Sequence, residues 1–345
     1  MDDVLTSMAV FWALMLLTYF LMQNGLSIFN DVAKSMGMFM LEKALGPGID
    51  LVEGRPGSAS KAWIMQGLLW LLAASTLTFE GLWMMHDPLA LHSLSAWGYS
   101  PTSGSLLYAG NYAVLYGGIG MLLIGAGLHI LPRLARTELA SEKNATLVSF
   151  LWTISVLVLV IGAHDSEVLG INIIFVGTVM HVVAFLAIIT NQLLTVSKRQ
   201  GALAIPGWLI IFGLLADPVA TAAIFVSGSI ETGVGQWLLG HMVGGTFFFA
   251  SAAGIALYAS SSSTGNPLWS KSLAAAVLVG SIATINPMGE IDGRMAADML
   301  GLNFGELHVT SEDNLVAAFL MALATIPIMA LAANVLITLR GGDAF

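Results

Sequence analysis

Histidine is the residue type in this chain best suited to bind a metal or a haem iron. The 345 residues include seven histidines and no cysteine, which excludes disulfides, thiolate zinc sites and iron–sulfur clusters built from this sequence. His241 follows Trp237 and Gly240 inside an apolar run, and the small uncharged residues after it allow close helix approach. An interhelical hydrogen bond and a metal ligand are equally good interpretations of His241. Four others lie at the ends of apolar runs, where water or lipid headgroups satisfy an imidazole: His86, His92, His129 and His164.

Three ionisable residues lie within apolar runs and are candidates for a polar or proton relay. A charge at membrane depth costs about 2.5–3.5 kcal/mol on insertion scales, so each of Glu80, His181 and Asp217 needs an explanation. Glu80 is followed closely by Trp83, and a position near the outer membrane surface is its simpler interpretation. A neutral, hydrogen-bonded imidazole is the simpler one for His181. Asp217 precedes Pro218, and the pair indicates either a kink or a proton site.

The composition requires a membrane to position these residues. Hydrophobic residues make up 57% of the chain and charged residues 10%, the mean hydropathy is +0.85, and the net charge of −9 excludes a nucleic-acid-binding protein. Apolar runs of about 20 residues are long enough to cross about 30 Å of hydrocarbon as helices. The sequence therefore predicts an all-α, polytopic transmembrane bundle of about nine spans. They lie at roughly 4–26, 62–85, 105–131, 145–163, 170–196, 203–227, 236–260, 269–287 and 313–339.

Basic residues predict the orientation of these spans. Lys and Arg remain in cytoplasmic loops, and eleven of the twelve in this chain fall on one side of the predicted bundle, Arg294 being the exception. The N-terminus is then outside and the C-terminus inside, in a cytoplasmic or inner membrane. Asp2 and Asp3 replace the positive start of a signal peptide, so the first span is expected to be retained. We divide the chain into residues 1–60, an extra span with a cytoplasmic interfacial loop, and residues 61–345, the main bundle.

Five segments of the main bundle, in this order, resemble the catalytic subunit of the haem–copper oxidase superfamily, most closely cbb-type oxidases and nitric oxide reductases. They are Lys61-Ala62-Trp63, the run from Leu107 to Leu134, Trp237 to His241 with the glycines that follow, Leu307 to Thr310, and Asn334 to Arg340. The resemblance implies an oxidase-like helical scaffold, with other membrane subunits and a cytochrome-containing subunit as partners. It also implies that His241 corresponds to a copper ligand.

The departures from the family pattern concern its metal ligands. Asn111 stands where the second family helix carries the low-spin haem ligand, and a carboxamide is a poor iron ligand. The copper-binding His-His pair aligns with Asn286-Pro287 or with Gly305-Glu306, and the sequence ends before the helices that carry the His-x-His element. We therefore expect no haem on this chain alone, with haem or copper expected only in the complex.

Three functions follow from these observations. The first is an oxidase-like structural or accessory subunit of a respiratory-type membrane complex that has lost most haem and copper ligands. The second is a split or truncated redox subunit completed by another chain, with His241 on copper or a haem on His181 or His308. The third is a proton or solute transporter that uses Asp217, His181 and Glu80 as a relay, although no inverted repeat supports it.

Overall fold

The computed structural model describes residues 8–16, 54–227, 242–283 and 311–340, and these residues are mostly helical. A short helix covers 8–16, and a 3₁₀ helix covers His92–Trp97. The main helices are α1 (Ser58–His86), α2 (Ser103–Ala135), α3 (Glu142–His164), α4 (Ile173–Ser197), α5 (Ile205–Ser227), α6 (Met242–Ala250 continued by Ser251–Thr264), α7 (Lys271–Ala283) and α8 (Ser311–Leu339). Strands β1 (Glu167–Val168) and β2 (Ile171–Asn172) form an antiparallel hairpin. The all-α class is confirmed.

Five of the described helices are long and apolar enough to cross a membrane: α1, α2, α3, α4 and residues Ala322–Leu339 of α8. The apolar stretches Ile205–Ala216 and Lys271–Ser281 are shorter. The chain is thus a helical membrane protein, while the count of nine spans and their direction stay predictions. Helix α1 begins at Ser58, three residues before the division that we placed at residue 61.

A hairpin corrects the start of one predicted span. Residues 170–172 were assigned to the fifth span, but they belong to the β1–β2 hairpin, and α4 begins at Ile173. Leu169 and Gly170 both have positive φ angles, 54° and 78°, as a tight two-residue hairpin turn requires. Asn172 then caps α4, because its side-chain oxygen accepts a hydrogen bond from the Phe175 amide at 2.9 Å.

The helices approach closely where glycine replaces a side chain. A Cβ atom on Gly177 of α4 would lie 2.9 Å from the Leu159 side chain of α3, and one on Gly280 of α7 would lie 2.6 Å from Pro327 of α8. In a membrane, where lipid is as apolar as leucine, such contacts supply much of the attraction between helices. Helices α7 and α8 are also joined by polar bonds, since Asn334 accepts from the Ser270 amide at 3.1 Å and donates to its carbonyl at 2.8 Å.

Four fully buried aromatic side chains form the centre of the bundle. Trp63 of α1 lies 5.3 Å from Trp152 of α3, Trp152 lies 4.5 Å from Phe185 of α4, and Phe185 lies 5.2 Å from Phe247 of α6, between ring centroids. The edge-on geometry of these pairs is one that aromatic rings prefer. This row connects four helices, and two of its rings, Trp152 and Phe185, contact His181.

Candidate functional site

His181 lies at the centre of the described bundle, in the first half of α4. Its side chain is 4% exposed and is enclosed by rings from three helices. Ring centroids of Trp152, Tyr116 and Phe185 lie 4.0, 4.5 and 5.2 Å from that of His181. The imidazole is therefore enclosed inside the helix bundle, and the ring neighbours are aromatic rather than charged.

One hydrogen bond orients the imidazole. The Nδ1 atom of His181 lies 2.9 Å from the Ser155 hydroxyl oxygen, and that hydroxyl lies 2.7 Å from the Trp152 carbonyl. A serine hydroxyl has one proton, and a carbonyl can only accept, so Ser155 donates to Trp152. Both contacts are hydrogen bonds when the imidazole proton is assigned to Nδ1, which then donates to Ser155. This assignment leaves Nε2 as a bare lone pair, and Nε2 is buried with no hydrogen-bond partner.

A π-helical segment of α2, Ala113–Gly120, packs against His181 through the Tyr116 ring. Within it, the Tyr116 carbonyl accepts a hydrogen bond from the Trp152 indole at 2.9 Å. π-Helical turns of this kind shift the backbone hydrogen-bond pattern of the helix by one residue and are frequent at functional sites. Here the turn places the Tyr116 ring against the His181 imidazole, and its backbone carbonyl also holds the Trp152 indole. Tyr116, Trp152 and His181 therefore restrain one another.

Glu80 occupies a different part of the bundle. It is half-buried on α1, and its charge acts on Tyr99, which lies outside the membrane-spanning helices. Burial, and after it the Glu80 carboxylate, raise the pKa of Tyr99, so that the phenol stays protonated. The Tyr99 ring also contacts His164, with 5.8 Å between centroids, and His164 Nδ1 is 3.2 Å from the Ser105 hydroxyl. Within the described ranges no hydrogen bond joins Glu80 to His181.

The other predicted site residues fall mostly outside the described part of the chain. His241, His308, Asn286-Pro287 and Gly305-Glu306 lie outside the described residues. Helix α5 continues through Asp217 and the buried Pro218 without a break, although the side chain of Asp217 is not described. The kink or proton site that the sequence indicates at this pair therefore stays a prediction. A helix tolerates an internal proline when neighbouring helices or local adjustments satisfy the freed carbonyl.

The surroundings of His181 do not fit a haem. Haem binding requires an open slot beside the ligating nitrogen, but the closest three ring centroids lie only 4.0–5.2 Å from the imidazole, and Trp152 and Phe185 are fully buried. The Asn111 carboxamide, where the resemblance puts a haem ligand, is half-buried on α2. Within the described ranges no three His, Asp or Glu side chains are grouped so that they could hold one metal ion.

Sequence reasoning missed the partners of His181. Trp152 and Ser155 are three residues apart on α3, so they share one helix face, and this spacing of an aromatic and a hydroxyl residue is a weak signal for a buried polar contact. Tyr116 has no signal at all in the sequence, because its position depends on the π-helical turn. No protein-family model matches the chain, and no curated protein matches it.

Proposed function

We propose that this chain is an oxidase-like structural or accessory subunit of a respiratory-type complex in a cytoplasmic or inner membrane, and that it holds no haem of its own. The observation that carries this proposal is the filled interior at His181. Where a redox subunit needs an open chamber, this bundle has Trp152, Tyr116 and Phe185 packed against the imidazole. Its closely packed helices give a rigid scaffold on which other membrane subunits, including a cytochrome-containing one, assemble.

The proposal includes nine spans with the N-terminus outside and the C-terminus inside. Its support is the distribution of basic residues, of which eleven of twelve fall on one side of the predicted bundle. The five described helices that are long enough to span, α8 taken as Ser311–Leu339, lie within four residues at each end of five of the nine predicted positions.

Spectroscopy of the native assembly tests the function. The complex is purified with this chain tagged, and reduced-minus-oxidised spectra are recorded for the complex and for the isolated subunit, together with metal analysis. We expect partner subunits to co-purify and haem bands to be present only in the complex. A six-coordinate haem spectrum in the isolated subunit that disappears in His181→Ala contradicts the proposal.

A second candidate function, a redox subunit completed by another chain, is favoured by one observation. The bare Nε2 lone pair of His181 is in the protonation state that binds a metal or a haem iron, and Ser155 holds the opposite nitrogen as an orienting group does in metal sites. Such a ligand role requires the surrounding rings to move apart in the complex. Ser155→Ala separates the two functions, because it shifts the spectrum of a His181-ligated haem and leaves every haem band of the complex unchanged if His181 is structural.

The transport function receives less support from the geometry. A relay requires its groups to lie within reach of one another or of bridging water, whereas Glu80 lies beside Tyr99 and His181 lies within the aromatic row. We therefore rank it third.

A further inference from the structure

The hairpin between α3 and α4 presents apolar side chains beyond the ends of both spans. Residues 165–172 are all exposed. At the tip, Leu169 is 96% exposed, and its neighbours Val168 and Ile171 are 37% and 54% exposed. Exposed apolar residues within a span contact lipid, but these three lie after the end of α3 and before the start of α4. Their exposure therefore requires another explanation.

The hairpin has one apolar face and one polar face. Val168 pairs with Ile171 across the two strands, and Glu167 pairs with Asn172. Because successive side chains of a strand point to opposite faces, these two pairs lie on opposite faces of the hairpin. Leu169 extends the apolar pair into the turn. Single exposed apolar residues are ordinary, whereas an apolar patch bordered by polar residues is typical of a protein–protein contact.

The backbone of the turn does not account for a leucine at its tip. The φ angles of Leu169 and Gly170 are 54° and 78°. Two-residue turns with positive φ at both positions prefer Asn-Gly, because most side chains make the left-handed region costly. An asparagine would close the hairpin better than Leu169 does. The leucine side chain is therefore the feature of this position that calls for a role.

The hairpin and the described residues near it carry negative charge. Asp165 and Glu167 precede the tip and are exposed. Asp87, which follows α1 at the same end of the bundle, is also exposed. No Lys or Arg occurs between residues 62 and 132 or between residues 144 and 197. A surface that receives the tip is therefore complementary to it when Lys or Arg side chains border an apolar centre.

These charges argue against the membrane surface and against a second copy of the chain as the occupant. Segments that lie on a membrane typically carry Lys and Arg on their polar face, which attract anionic headgroups, whereas this hairpin carries acids. Symmetric association of two copies places the same patch on both sides of the contact. The Asp165 and Glu167 carboxylates of the two copies would then repel one another.

We propose that the hairpin tip docks into an apolar pocket of a partner polypeptide at the predicted outer surface, and that Lys or Arg side chains border this pocket. Leu169 fills the pocket, Val168 and Ile171 pack against its wall, and Asp165 and Glu167 face the basic border. The proposal uses only the described hairpin and the membrane location. It holds whether or not the partner belongs to a redox complex.

Site-specific photo-cross-linking of the full-length protein in its native membrane tests this inference. The photoreactive residue p-benzoylphenylalanine replaces Val168, beside an intact Leu169, and the linked peptides are identified by mass spectrometry after irradiation. We expect one protein adduct, whose linked segment contains apolar residues and an excess of Lys and Arg over Asp and Glu. An adduct with phospholipid, with a second copy of this chain or with an acidic segment overturns the proposal, as does the absence of any adduct.

A variant of the turn separates docking from folding. Leu169→Asn removes the apolar side chain and supplies a residue that the turn prefers, so the hairpin is expected to remain folded. We expect the yield of the protein adduct to fall about tenfold or more. Leu89→Asn is the matched control, since Leu89 is 69% exposed but lies outside the hairpin. Equal yields from the two variants overturn the proposal. Leu169→Cys also lacks the leucine, so a cysteine there stays accessible to a water-soluble reagent.

A charge reversal tests the basic border of the pocket. Glu167→Lys is expected to lower the adduct yield several-fold, and raising the salt concentration is expected to lower the yield of the unreversed protein, because salt screens charges between exposed groups. Glu138→Lys is the control, since Glu138 is an exposed acid in the segment before α3, at the opposite end of that helix. An equal or higher yield with Glu167→Lys than with Glu138→Lys overturns the proposed basic border.

Discussion

Two glutamines within the spans show how position decides the energetic role of one side chain. Gln66 of α1 is bonded at both ends, since its nitrogen donates to the Ser149 hydroxyl at 2.7 Å and its oxygen accepts from Thr153 at 2.6 Å. Gln192 of α4 is 1% exposed, and neither end has a partner. It faces Gly127 and Ile210, which offer no side-chain hydrogen-bonding group. The Gln66 amide joins two helices, whereas burial of the Gln192 amide without hydrogen bonds lowers the free energy of unfolding.

Replacing the two glutamines by leucine is expected to have opposite effects. Gln192→Leu removes two unsatisfied polar groups and should raise the free energy of unfolding by about 1–2 kcal/mol. Gln66→Leu removes one hydrogen bond from Ser149 and one from Thr153 and should lower it by about 1–3 kcal/mol. Unfolding of the purified protein in detergent, followed by tryptophan fluorescence, measures both. A loss of stability in Gln192→Leu as large as that in Gln66→Leu would show that Gln192 has a partner in the membrane.

At the scale of elements, α1 and α2 begin with two kinds of cap, one made by a distant residue and one made locally. Glu142, in the first turn of α3, accepts hydrogen bonds from the backbone amides of Gly57 and Ala59 and so caps α1 from 83 to 85 residues away. An acidic group at a helix start also complements the helix dipole. Thr102 and Ser105 form a capping box at the start of α2, which is a local contact.

Glu142→Ala is expected to destabilise the start of α1. Loss of a helix cap costs about 1–2 kcal/mol, and the freed amides of Gly57 and Ala59 should exchange with deuterium faster. Hydrogen exchange followed by mass spectrometry over residues 55–62 measures this. Glu138→Ala is the matched control, because Glu138 is an exposed acid in the segment just before α3. If both variants exchange alike at these amides, Glu142 is not the cap.

Gly177→Ala is expected to force α3 and α4 apart. The new methyl group would lie 2.9 Å from the Leu159 side chain and 3.1 Å from its backbone nitrogen. Overpacking of this kind costs about 1–3 kcal/mol. Gly104→Ala serves as the control, since Gly104 is exposed and a Cβ there meets its first neighbour only at 3.9 Å. Equal melting temperatures for the two variants in detergent would exclude a tight α3–α4 contact at Gly177.

At the scale of the whole molecule, burial separates central helices from peripheral ones. The apolar windows of α2 and α3 are 61% and 56% buried within the described protein, whereas those of α1 and α8 are each 22% buried. In a membrane, the exposed side chains of peripheral helices contact lipid or neighbouring subunits. A hydrophobic surface of this extent agrees with an integral membrane protein.

Cysteine labelling tests the orientation, and the cysteine-free sequence makes it free of background. In intact cells, a membrane-impermeant maleimide should label Leu169→Cys, because Leu169 is 96% exposed in the hairpin that the prediction places outside. Ser197→Cys, at the exposed end of α4, should be labelled only after the membrane is opened. The reverse pattern would invert the topology, and labelling of both from the outside would mean that α4 does not cross the membrane.

The approximate positions of the helices could be predicted because hydropathy is a local property of about 20 consecutive residues. The predicted spans 105–131 and 145–163 correspond to helices Ser103–Ala135 and Glu142–His164. Local patterns also explain the caps at Thr102 and Asn172. The hairpin before α4 was missed, since Ile171 and the residues after it continue the apolar run, and only the turn at Leu169 and Gly170 sets it apart.

The sequence by itself determined that this protein is a helical membrane protein and which polar residues lie within its spans, because both depend on residue types along short stretches of chain. Only the tertiary structure decided what those residues touch. The partner of His181 is 26 residues away, that of the Trp63 indole 82 and that of Glu142 up to 85. Such pairs arise from helix packing and from irregular turns such as Ala113–Gly120, which rotate side chains into register without a local signal.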